Sequence, residues 1–197
     1  MLDNITQIAT MVSEYNYQSA REICLDLDVE DPELSYNNLK EKATQETEIW
    51  GDESEYWAKA LPKSADKSDS EWKFVLGNFL LSFVKECKTN GDAVKDAVIC
   101  KSAHDILSDL TFANRHENLA LALHNYKMGH IAKSKSNTEA ADKCFNKSID
   151  IIEESDGLGG WHYESLVIRD ITTTKTNWYL DQNENTKSLD FLNQGID

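Results

Sequence analysis

Apolar residues recur at helical spacing along most of this 197-residue chain, and residues that end helices are scarce. The segment EWKFVLGNFLLSFVKECK, residues 71–88, shows this spacing over its whole length. The chain contains two prolines and eight glycines, fewer than the turns of a β-sandwich need. The pattern therefore predicts an all-α protein.

The spacing divides the chain into an acidic N-terminal helical region, residues 1–62, and three helical hairpins within residues 71–197. In the first region it predicts helices at 2–12, 15–27 and 35–50, and a short helix just before Pro62. The segment PKSADKSDS, residues 62–70, has no apolar period and is predicted to be a loop. The hairpins are predicted to pair 71–88 with 93–110, 116–135 with 138–154, and 161–180 with 186–196. We expect both regions to form one continuous domain.

The hairpins also resemble one another in sequence. NGDAVKDAVICKSAHDILSD matches NTEAADKCFNKSIDIIEESD at an offset of about 46–47 residues, with Ile106 aligned on Ile152. A third related stretch, NENTKSLDFLNQGID, follows after a similar interval. Repeats of this length are typical of stacked helical hairpins, so we expect an α-solenoid, with another α-helical bundle as the alternative.

The chain carries a net charge of −15, from 35 acidic and 20 basic residues. Residues 1–70 hold 16 acidic and 6 basic residues, so this region alone contributes −10. Such a charge disfavours binding to nucleic acid or to an anionic membrane surface, and it favours a basic protein or peptide as partner. The N-terminus shows no signal-peptide pattern, and the four cysteines show no CxxC pair. We expect free thiols and a cytoplasmic protein.

A mid-helix glycine, Gly129, needs an explanation, because it costs about 1 kcal/mol relative to alanine. Gly129 follows the large residue Met128, and the small residue Ala141 comes 12 positions later, followed by Phe145 and Ser148. Residues 122–155 thus resemble a tetratricopeptide repeat (TPR). The resemblance implies that the small residues let two helices approach closely while Phe145 fills the gap beside them. Gly129, Ala141, Phe145 and Ser148 are therefore predicted to be packing residues.

The resemblance also implies a binding surface, because the first helices of such hairpins line a groove that grips peptides. At the corresponding places the present sequence has Tyr126, His130, Lys133, Asn78, Thr173 and Asn177. Tyr126 stands where family members that clamp a terminal carboxylate carry their first lysine, so carboxylate capture is not predicted. Ordinary packing or solvated surface is the alternative role for these six residues.

Catalytic and metal-binding motifs are not found in the sequence. It has no HExxH, Walker loop, GxSxG or GxGxxG motif, and its five histidines do not pair at helical spacing. We predict a protein-binding module without enzymatic activity, cofactor or metal. Three alternatives stay open: an acidic inhibitor, chaperone or immunity-type protein that caps a basic partner, an enzyme with a dispersed active site around His124 or His162, and a homo-oligomer.

Overall fold

The computed structural model describes residues 53–65, 68–85, 92–155 and 162–181, together with Gln7. These ranges contain six α-helices and no strand, which confirms the all-α class for the part of the chain described. The helices are α1 (Glu53–Ala65), α2 (Asp69–Lys85), α3 (Ala93–Leu107), α4 (Asn114–Ser134), α5 (Thr138–Glu154) and α6 (His162–Asp181). The predicted helices at 15–27, 35–50 and 186–196, and all of the one at 2–12 except Gln7, lie outside the described residues.

Three of the helices are preceded by a residue whose side chain caps the first helical turn. Before α2, the Ser68 backbone N–H donates to Glu71 Oε2 at 2.9 Å and the Glu71 N–H donates to Ser68 Oγ at 3.3 Å, a capping box. Asp92 accepts hydrogen bonds from the first turn of α3, and Asn137 accepts one from Ala140 at the start of α5. These caps place the helix starts close to the positions that periodicity predicts.

The predicted loop at residues 62–70 is wrong in its first half, because α1 continues through Pro62 to Ala65. A proline inside a helix removes one backbone hydrogen bond and costs about 3 kcal/mol. Leu61 and Ser64, on either side of the proline, are nevertheless buried, and the Ser64 hydroxyl donates to Leu61 O. Core burial on both sides of Pro62 thus keeps the segment helical, and the connection to α2 is correspondingly short.

The turn between α4 and α5 is closed by a residue in the left-handed region. Ser136 has φ 56°, and its N–H donates to Lys133 O at 2.9 Å. The next N–H, of Asn137, donates to Ala132 O at 3.0 Å. This pair of hydrogen bonds is a Schellman motif, with serine in the position that usually holds glycine. The motif reverses the chain within three residues and so brings α5 back along α4.

Each helix from α1 to α5 packs mainly on its neighbours in the chain, and α6 contacts both α5 and α4. The core they share is rich in aromatic and aliphatic side chains from every helix. In the α4–α5 pair, the start of one helix lies beside the end of the other. The Asn118 amide of α4 donates to Ser155 Oγ just after α5, and the Ser148 hydroxyl, earlier in α5, donates to Ala122 O, later in α4. Consecutive helices α4 and α5 therefore form an antiparallel hairpin.

Two helical glycines mark points where helices approach each other closely. A Cβ atom added to Gly129 would lie 2.4 Å from Cε1 and 2.5 Å from Cδ1 of Phe145. One added to Gly77 in α2 would lie 2.5 Å from Cγ of Leu107 in α3. Real Cβ atoms do not tolerate such distances, so only glycine fits at either place without movement of its neighbour. Phe145, Ala141 and Ser148 of α5 are all fully buried beside this contact.

We expect Gly129→Ala to lower the free energy of unfolding by about 1–2 kcal/mol, because overpacking against the Phe145 ring exceeds the gain of about 1 kcal/mol in helix propensity. The same substitution in a Phe145→Leu background should cost less, since a smaller side chain relieves the clash. Urea denaturation of the four proteins of this double-mutant cycle measures both effects. A Gly129→Ala protein that is more stable than the parent in both backgrounds would contradict the packing role.

Candidate functional site at the junction of α4 and α6

Five of the six predicted binding residues lie on α4 and α6, which contact each other. Tyr126, His130 and Lys133 follow one another at helical spacing on α4, and Thr173 and Asn177 stand one turn apart on α6. Asp170 shares the stripe of Thr173 and Asn177. We call this surface the α4–α6 face, formed by Tyr126, His130 and Lys133 of α4 and by Asp170, Thr173, Asn177 and Trp178 of α6.

The sixth predicted residue, Asn78, lies elsewhere. It belongs to α2, its exposed fraction is 1%, and its amide donates to Phe74 O of the preceding turn. A side chain closed in the core by its own helix does not reach a partner. We therefore leave Asn78 out of the candidate site.

The centre of the α4–α6 face is a carboxylate that accepts two hydrogen bonds. Tyr126 Oη donates to Asp170 Oδ2 at 2.8 Å, and His130 Nε2 lies 3.0 Å from the same oxygen, as a donor. The Tyr126 and His130 rings meet edge to face with their centroids 4.6 Å apart. Asp170 was not predicted as a site residue, although it precedes Thr173 by one turn on the same stripe. The two contacts join α4 directly to α6.

The Phe145 ring packs against the aromatic side chains of the α4–α6 face. Its ring centroid lies 5.2 Å from that of His130, 5.9 Å from that of Trp178 and 6.3 Å from that of Tyr126. Aromatic pairs at such distances, in tilted or edge-to-face geometry, stabilise beyond the area they bury. The ring that fits against Gly129 therefore also supports side chains on both sides of the α4–α6 face.

Charged side chains complete the attachment of α6. Lys133 Nζ lies 5.7 Å from the centroid of the Trp178 ring, within reach of a cation–π interaction. Lys175 is fully buried; its ammonium lies 2.7 Å from Asp142 Oδ1 of α5 and donates to Asn146 Oδ1. A buried ammonium needs such partners, because an uncompensated charge in the interior is strongly destabilising. Lys175 thus holds α6 on α5 while Asp170 holds it on α4.

His130 is a neutral hydrogen-bond donor at neutral pH. Burial lowers the pKa of its imidazole below the ordinary value near 6.5, and Lys133 and Lys127 lower that pKa further. The Asp170 carboxylate acts in the opposite direction but does not offset burial. Neutral His130 donates to Asp170 without cancelling its charge.

The other candidate groups do not assemble into a metal site in the described residues. No group of three metal-ligating side chains is present there. His124 Nδ1 donates to the Ala97 carbonyl at 2.8 Å, which gives this histidine a structural contact, and the side chain of His162 lies outside the described residues. Cys100 and Cys144 are free thiols, and burial raises the pKa of Cys100 far above its ordinary range. Within the described ranges, no helix combines the length and apolar character that crossing a membrane requires.

Comparison of the chain with protein-family models, with curated proteins and with solved structures gave no match.

Replacing His130 by glutamine should flatten the pH dependence of stability. In the parent protein the unfolded chain takes up a proton on His130 at a higher pH than the folded protein does, so the free energy of unfolding falls on acidification through the ordinary pKa near 6.5. Glutamine keeps an N–H donor for Asp170 but does not titrate. Urea denaturation of both proteins between about pH 7.5 and about pH 5.5 measures the difference, and parallel profiles would contradict a lowered pKa of His130.

Proposed function

We propose that this chain is a non-enzymatic protein-binding module of TPR-like helical repeats, and that the α4–α6 face holds a peptide or a partner helix. The observation that carries the proposal is that α4 and α6, the two helices that carry five of the six predicted binding residues, contact each other through Tyr126, His130 and Asp170.

The chemistry of the α4–α6 face supports the proposal. Tyr126 and Trp178 are partly exposed aromatic side chains, of the kind enriched at protein interfaces. Thr173 and Asn177 are exposed. The Thr173 hydroxyl donates to Arg169 O at 2.8 Å and keeps its oxygen as an acceptor, while the Asn177 side-chain amide carries both a donor and an acceptor for a peptide backbone. The hydrogen bond from Tyr126 to Asp170 and the ring contact of His130 with Phe145 hold the Tyr126 and His130 side chains in place, which lowers the conformational entropy lost on binding.

An acidic inhibitor, chaperone or immunity-type protein is the second candidate, and the net charge of −15 favours it. Its interface would lie in residues 22–55, most of which are outside the described ranges. A complex formed in this way rests on many charge pairs and weakens steeply as salt is raised, whereas binding at the α4–α6 face rests mainly on aromatic and polar contacts and weakens much less. The steepness of a salt titration therefore separates the two candidates, and we propose a cytoplasmic location for both.

The α4–α6 face is tested by selecting binders from a library of random short peptides displayed on phage, with the full chain as target. We expect the selected peptides to lose at least about tenfold in affinity for a Thr173→Trp/Asn177→Trp variant, because two exposed indoles one turn apart cover the face. Isothermal titration calorimetry with the soluble peptides gives the affinities.

The matched control is Glu139→Trp/Lys143→Trp, which places two indoles one turn apart on exposed positions of α5 without changing the net charge. Binding should survive in this variant. Selected peptides that bind all three proteins equally, or a library that yields no specific binder, would contradict the proposed function.

A further inference from the structure

The Asp170 carboxylate has one oxygen engaged and one available. Both hydrogen bonds, from Tyr126 and from His130, go to Oδ2. In the part of the chain that the structure describes, Oδ1 has no hydrogen-bond partner, and the side chain is 47% exposed. Two donors from one neighbouring helix thus hold the carboxylate by Oδ2, and no donor among the described residues is bound to Oδ1.

The charge of Asp170 is not balanced by a lysine or arginine within ion-pair distance among the described residues. Lys133 is placed over the Trp178 ring, and Lys127 pairs with the buried Asp96 at 2.7 Å. The two donors to Oδ2 are a phenol and an imidazole, and burial keeps the imidazole neutral by lowering its pKa. Hydrogen bonds from neutral groups to a carboxylate orient it and leave its negative charge in place.

We propose that Asp170 accepts a cationic side chain of the bound segment, a lysine ammonium or an arginine guanidinium, at the α4–α6 face. This inference rests on the proposed function and adds the chemical class of the partner. The Asp170 side chain is already held by two hydrogen bonds, so it loses little conformational entropy when a cation binds at Oδ1. The partly exposed Tyr126 ring stands beside it to pack against the apolar stem of such a side chain. The net charge of −15 assists the encounter with a basic segment.

The proposal also predicts how binding depends on pH. Protonation of His130 would neutralise the His130–Asp170 pair and remove the attraction for a cation. The charged groups that act on His130 are Asp170 on α6, and Lys133 and Lys127 on its own helix, while α5 presents the apolar Phe145 ring. Affinity for a basic peptide should therefore fall only as the pH is lowered below about 6.5, where a histidine with a lowered pKa takes up its proton, and His130→Gln should remove most of this fall.

The experiment selects peptides on the full chain from two phage libraries, one with all residues and one lacking lysine and arginine. We expect binders with a recurrent basic residue from the first library and markedly weaker binders from the second. Asp170→Asn keeps an oxygen for Tyr126 and His130, and it should weaken the basic peptides at least about tenfold. Asp150→Asn removes the same charge from an exposed position of α5 and should change affinity less than about twofold.

The outcomes separate the two proposals. Binders that are blocked by Thr173→Trp/Asn177→Trp, show no preference for basic residues and ignore Asp170→Asn would overturn the cation site and leave the proposed function intact. Basic binders that respond equally to Asp170→Asn and Asp150→Asn would show attraction by net charge alone, which also overturns the cation site. No binder from either library would overturn both proposals.

Discussion

The contact between Gly129 and the Phe145 ring is the interaction on which the rest of the site depends. Because Gly129 has no Cβ, the ring lies directly against the backbone of α4, where a methyl group would come within 2.4 Å of it. In that place the ring also contacts His130 on α4 and Trp178 on α6. A residue that costs helix stability thus lets one aromatic side chain support two helices, and the polar links through Asp170 and Lys175 follow from the position α6 then takes.

Much of the helical framework could be predicted from the sequence, since its signals are local. Apolar spacing and capping residues such as Asp92 and Asn137 act within one or two turns, and the helices that begin there start where they were expected. The end of α1 is the exception. Proline and polar residues predict a loop after Pro62, but burial of Leu61 and Ser64 in the tertiary core keeps α1 helical there. Burial of this kind depends on residues far away in the chain, so the local sequence does not predict it.

The candidate site was predictable only in part, because its two halves come from helices about 45 residues apart. Tyr126, His130 and Lys133 were predicted from the resemblance of residues 122–155 to a tetratricopeptide repeat. Their partner Asp170 was missed, since one acidic residue on a polar stripe of α6 carries no distinguishing signal. Lys175 was also missed, because the burial of a lysine depends on its partners Asp142 and Asn146, which belong to another helix. Conversely, Asn78 was predicted to share this surface but lies in the core.

Phe145 bridges Gly129 on α4 and Trp178 on α6. Nuclear Overhauser spectroscopy of the full chain in solution can detect this bridge. We expect cross-peaks from the Phe145 ring protons both to the Gly129 Hα protons, shifted upfield by the ring, and to the Trp178 indole. A Phe145 ring that shows neither contact while α4 and α5 remain helical would rule out the bridge, and with it the basis for the α4–α6 face.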